Sequence, residues 1–99
     1  MNIAKLMQQA HAAQTQMQQA LEQLEVEGSA GGGLVKVRLN GLKELRGVTI
    51  DPQATAGDAV GMLEDLIVAA WEEASRLLEQ RSQELLGKIG LPAGFPGMR

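Results

Sequence analysis

Hydrophobic positions recur along this chain with two periods, and the switches between them divide it into three parts. Ile3, Leu6, Ala10, Ala13, Met17, Ala20 and Leu24 are spaced by steps of three and four. That spacing predicts a first helix over residues 2–24, with Met7 and Leu21 widening its apolar stripe. From Val26 the period shortens. Val26 with Gly28-Ser29-Ala30 reads as a first strand, and Gly31-Gly32-Gly33 as its turn. Leu34–Asn40 alternates Val35, Val37 and Leu39 against Lys36, Arg38 and Asn40, the pattern of a half-buried strand. Asn40-Gly41 signals a tight turn, the alternative being a longer one through Leu42-Lys43; Leu45–Asp51 is a third strand with Val48 and Ile50 inward, and Asp51-Pro52 its end. After the loop Pro52–Gly57 and a candidate N-cap at Asp58, the helical period returns. Leu63, Leu66, Ile67, Ala70, Ala74, Leu77, Leu78 and Leu85 predict a second helix from Ala59 to about Gly87. Gly87 or Gly90 would cap it, and Pro92 bars continuation.

These elements specify an α+β fold: long N-terminal helix, three-stranded antiparallel meander, long C-terminal helix. Residues 1–90 read as one helix–sheet–helix domain, and the Pro/Gly-rich stretch 91–99 as a flexible tail that Phe95 can anchor. Three strands are an odd number, so the second helix leaves the end of the sheet opposite the first and must return across the apolar face. A seven-residue strand spans ~23 Å, about 15 helical residues. The first half of the second helix is therefore expected to cover the sheet, and its second half to overhang beside the first helix, antiparallel to it. A projecting helix pair suits a dimer that joins the central units and extends two arms. Trp71, beside the main stripe, is a candidate dimer anchor, with packing in its own subunit's core the competing role.

Composition narrows the chemistry. With one His and no Cys, the chain offers no disulfide, no metal-ligand cluster and no Ser/His/Asp or Cys/His set. Glu64-Asp65 and Glu72-Glu73 are adjacent pairs that diverge around a helix, so an enzyme is not expected. The glycine triplet lacks the following Lys and helix of a phosphate loop. No segment reads as a signal peptide or membrane span. Net charge is −3, so nucleic acid is not suggested by the overall balance. The distribution is more informative. No Asp, Glu, Lys or Arg falls between Lys5 and Glu22, and the polar face of this helix carries Gln8, Gln9, Gln16, Gln18, Gln19 and Gln23. The second helix is acidic in its first half, while Arg76, Arg81 and Lys88 lie in its second. Part of this is ordinary helix electrostatics, with Glu72–Arg76 and Glu84–Lys88 as i,i+4 pairs. Folded as expected, Lys5, Arg76, Arg81 and Lys88 gather at one projecting end. Lys36 and Arg38 share a strand face that either touches phosphate as a second contact or is simply solvated. His11 reads as a solvated helix residue.

The stretches LEVEGSAGGGLVKVRLNG, ELRGVTIDP, MLEDLIVAAW and LPAGFPGM resemble the YbaB/EbfC family of bacterial nucleoid-associated proteins over nearly the whole chain. The shared positions, Gly31–Gly33, Val35, Val37, Gly41, Asp51-Pro52 and Met62–Leu66, are architectural. The family often has an Asn and more Lys after the MLEDL segment, where this chain has Trp71-Glu72-Glu73 and Arg76-Leu77. The resemblance implies a cytoplasmic, nucleoid-associated homodimer whose helical arms bind double-stranded DNA with limited sequence preference. It implies no enzymatic activity, cofactor, small-molecule substrate or membrane partner. The contacts expected to carry DNA are Lys5, Gln8, Gln9, Arg76, Arg81 and Lys88, with phosphates neutralised by the cations and hydrogen bonds donated by the amides. The alternative is a dimeric adaptor whose Ala-rich stripe and tail receive protein partners.

Overall fold

The computed structural model describes residues 2–57 and 59–88. Its order is α1 (Ile3–Gln23), β1 (Glu25–Ala30), β2 (Val35–Asn40), β3 (Leu45–Ile50), a 3-10 turn (Pro52–Thr55) and α2 (Val60–Lys88). The sheet is antiparallel in the order β1-β2-β3, so the α+β meander is as expected. The candidate caps at Asp58 and Gly90, with Pro92, Phe95 and the tail, lie outside the described residues. Gly87 lies inside α2 rather than capping it.

Local chemistry sets the boundaries. The Asn2 carboxamide accepts the Lys5 N–H (3.1 Å), starting α1. The glycine triplet turns β1 into β2 with positive φ at all three residues, as the sequence indicates. The second turn is the longer of the two forms expected, with β3 starting after Leu42-Lys43. Its positive φ falls at Lys43, and buried Asn40 holds it together. The Asn40 side-chain Oδ1 accepts N–H bonds from Leu42 and Glu44, both at 3.0 Å, while its Nδ2 donates to the Glu44 carboxylate at 2.8 Å. Gly41 ties this turn to α1, donating its N–H to the carbonyls of Leu21 (2.7 Å) and Leu24 (2.9 Å). What read as a plain loop after β3 contains the 3-10 turn, capped by Asp51 and burying Ala54.

The core lies between α2 and the β1–β2 half of the sheet. Val26, Val35, Val37 and Leu39 meet Ala70, Ala74 and Leu78, flanked by Leu63, Leu66, Ile67 and Leu77. Contact is closest at Gly28, where any Cβ would fall on the Ala74 nitrogen and Ala70 oxygen. Small residues on both sides let helix and strand meet backbone to backbone. Gly31 at the far end of β1 lies beneath Leu66, and Gly28 nearer α1 meets Ala70 and Ala74, so α2 runs from the far end of the sheet back toward α1. Its cover extends past the expected first half, to Leu78, and only the last turns overhang.

Two expectations are corrected. Val48 and Ile50 pair with Val37 and Val35, so they share the core face, yet they are 42% and 39% exposed. The reason is position: α2 sits over β1 and β2 and leaves β3 uncovered. The two helices also do not project equally far. The molecule measures 69 × 19 × 17 Å. Residues 60–78 span ~27 Å and α1 ~32 Å, so most of that length requires α1 to point straight away from the sheet. Its main contact is with β2, and no α1 residue belongs to the core cluster. Ile3 is 69% and Leu6 50% exposed.

Gly28→Ala is expected to cost about 2–3 kcal/mol, because two backbones must separate. Thermal unfolding followed by circular dichroism should show a drop of at least about 8 °C. An unchanged midpoint would mean that this contact does not set the helix–sheet distance.

Candidate nucleic-acid interface

The residues proposed from sequence for DNA contact fall on three separate surfaces. Lys5, Gln8 and Gln9 lie near the outer end of α1, all exposed. At about 100° per residue they stand 120° or more around the helix from buried Leu21, so they face away from the body. Lys5 lies ~28 Å beyond Leu24 along the arm.

On α2, Arg81 and Lys88 come round to within about 20° of Ala70, the residue set on the sheet. Past Leu78 the core cluster has ended, and the half-buried or buried Ser82, Leu85 and Leu86 stand about 60° or more around the helix from this line. Both cations are exposed, and half-buried Leu85 lies between them in sequence. Buried Leu86 lies outside the main cluster. Lys88 reaches only ~15 Å past Leu78, about half as far as Lys5. The expected single basic tip is thus replaced by cations strung along the molecule. The cause is the straight exit of α1 and the late end of the sheet cover.

Arg76 points about 120° away from the Ala70 line and is bound to an acid. Its guanidinium donates to both Glu73 oxygens, at 2.7 and 3.2 Å. This i,i+3 pair replaces the Glu72–Arg76 pair expected from spacing, and it is the one ion pair among the described residues. The hydrogen bond from Arg76 holds the Glu73 carboxyl below the ordinary value of 4.5, with the charge of Arg76 adding to it. Glu73 in turn raises Arg76. A polyanion must displace Glu73 to reach this cation.

Lys36 and Arg38 lie on the uncovered sheet face, with Lys36 half-buried and Arg38 exposed. Arg38 lies over Gly47 on β3 and stands opposite Glu27 on β1. Trp71 is 40% exposed and outside the buried core. Exposed His11 accepts the Thr15 hydroxyl through its backbone carbonyl (3.0 Å). Among the described residues there is no group of three or more potential metal ligands, and no helix is long and apolar enough to cross a membrane. Sequence reasoning missed Asn40, whose signal was an Asn at a strand end with Glu four residues on.

Residues 1–92 match the family model described as YbaB/EbfC DNA-binding family. A nucleoid-associated protein of Rhodopseudomonas palustris (strain BisB5) is 47% identical, over 91% of this chain and 92% of its own length. A nucleoid-associated protein of Xylella fastidiosa (strain 9a5c) is 48% identical, over 95% of this chain and 92% of its own. The crystal structure of an uncharacterized protein from Helicobacter pylori superposes with a TM-score of 0.69 at 20% identity. It covers 90% of this chain and 97% of that one, and shares the fold.

A pH titration of the Glu73 carboxyl by NMR should give a midpoint below 4.5 that returns toward it in Arg76→Ala. The pair's small stabilisation is present above the ordinary carboxylate range and fades as pH falls through the depressed value. Identical midpoints in the two proteins would remove the pair.

Proposed function

We propose, given that the chain belongs to the YbaB/EbfC DNA-binding family, that it is a non-enzymatic nucleoid-associated homodimer binding double-stranded DNA through its helical arms. The observation that carries this reading is α1, an exposed helix of 21 residues standing clear of the sheet. Its middle bears no acidic side chain, so a net charge of −3 is kept off the arm. Glu64, Asp65, Glu72 and Glu73 lie instead on the part of α2 that covers the sheet.

Such an arm approaches a duplex without repulsion. Lys5 neutralises phosphate while Gln8 and Gln9 donate hydrogen bonds to phosphate or groove edges. Arg81 and Lys88 add charge nearer the body. Arg76, held by Glu73, contributes less, and Lys36 with Arg38 form a secondary surface moderated by Glu27. Contacts of this kind read the backbone more than the bases, which gives limited sequence preference. Nucleoid localisation follows from that binding. Exposed Ile3, Leu6 and Met7 favour the second reading, a dimeric adaptor whose α1 stripe receives a protein helix.

Fluorescence anisotropy with unrelated duplexes at low salt tests the proposal. Affinity should fall with log–log slope about −0.9 for each phosphate neutralised. Lys5→Ala and the Arg81→Ala/Lys88→Ala double variant should each weaken binding and flatten the slope, while Arg76→Ala changes little. No retention of any duplex at low salt would overturn the DNA reading in favour of the adaptor. Full binding by the triple variant lacking Lys5, Arg81 and Lys88 would overturn the assigned contacts.

A further inference from the structure

We infer that Asn40-Gly41 is a site of spontaneous, irreversible modification that the docking of α1 holds closed. In an Asn-Gly pair the following backbone nitrogen readily attacks the side-chain amide, because glycine has no Cβ to hinder ring closure. The Gly41 nitrogen gives its proton to solvent and attacks the Asn40 Cγ. Nδ2 takes up a proton and departs as ammonia, leaving a cyclic imide. Water then opens the imide to Asp or to its β-linked isomer. No oxidant, reductant or cofactor enters the step.

Two separate demands put this labile pair in the chain. Asn40 builds the turn, accepting from Leu42 and Glu44 through Oδ1 and donating to Glu44 through Nδ2. Gly41 admits the last turn of α1, since a Cβ there would fall on the Leu21 backbone. Neither position can yield to the other, so the reactive dipeptide stays.

The same arrangement readies one reactant and withholds the other. The N–H groups of Leu42 and Glu44, both 3.0 Å from Oδ1, polarise the carbonyl and would stabilise the oxyanion formed on attack. The nucleophile is tied up. The Gly41 N–H donates to the Leu21 and Leu24 carbonyls, so it keeps its proton and is directed at α1. Asn40 is 1% exposed, which also excludes base and water. Reaction therefore waits for the last turn of α1 to lift from Gly41. Such local opening is favoured at this junction, because α1 rests on the body mainly through β2 and its outer turns are exposed. Conversion is one-way. A carboxylate at position 40 cannot donate to Glu44 and meets its negative charge instead, while the β-linked isomer lengthens the backbone beside Gly41. Either product weakens the tie that holds the arm.

Ageing the full chain at mildly alkaline pH, in native buffer and in urea, tests this by peptide mass spectrometry and enzymatic methylation of isoaspartate. Asn2 is the only other asparagine and precedes β-branched Ile3, which makes it an internal control. In urea Asn40 should convert while Asn2 persists. In the folded protein conversion of Asn40 should be at least about tenfold slower. Leu21→Ala, which removes the buried contact of the last α1 turn, should speed conversion severalfold in native buffer, whereas Leu6→Ala should not. Should Leu21→Ala fail to fold, Leu21→Val gives the milder comparison, and wild-type conversion should rise with urea in step with hydrogen exchange at the Gly41 amide. Equal rates in native buffer and urea would overturn the inference, as would an Asn40 that survives in urea. So would a folded Leu21 variant whose Gly41 amide exchanges faster while Asn40 converts no faster than in wild type.

Discussion

The structure depends on the contact between Gly28 and the Ala70–Ala74 turn of α2. With no side chain on the strand and only methyl groups on the helix, the two backbones meet and the helix axis is fixed over β1. That single placement decides what is buried. Val26, Val35, Val37 and Leu39 are covered, whereas β3 lies beyond the reach of the helix and keeps its apolar side chains in solvent. A bulkier residue at position 28 would lift α2 and loosen the whole apolar layer.

A second constraint acts at the other end. Gly41 donates to the last turn of α1, and the Asn40-centred turn makes that anchor rigid. The helix is thus tied to the sheet at its C-terminus, while its outer turns are exposed. A lever attached at one end is suited to reaching a distant partner. It also explains why an apolar stripe with well-formed periodicity remains exposed.

Much of this was legible in the sequence. The change of period from helical to alternating located the strands, the glycine triplet located the first turn, and strand parity gave the return direction of α2. The sequence did not reveal which two of the three strands α2 covers, because Val48 and Ile50 carry the same alternation as Val35 and Val37. Nor did it reveal how much farther α1 reaches than α2, since that depends on where the sheet cover ends. Arg76 has acids at both three and four residues' distance, and spacing alone does not choose Glu73 over Glu72. The family motifs identify the mount for the arms, while the charges proposed to touch DNA lie outside them.

The central claim is that α1 continues the long axis of the molecule away from the sheet. The chain has no Cys, so Gln8→Cys and Val60→Cys can carry a pair of spin labels without a cysteine-free background. Pulsed electron–electron distance measurement, with labelled chains diluted in excess unlabelled protein, isolates the distance within one chain. A projecting α1 should give a distribution centred at roughly 50 Å. A centre below about 30 Å would mean that α1 folds back along the sheet, and would contradict the account.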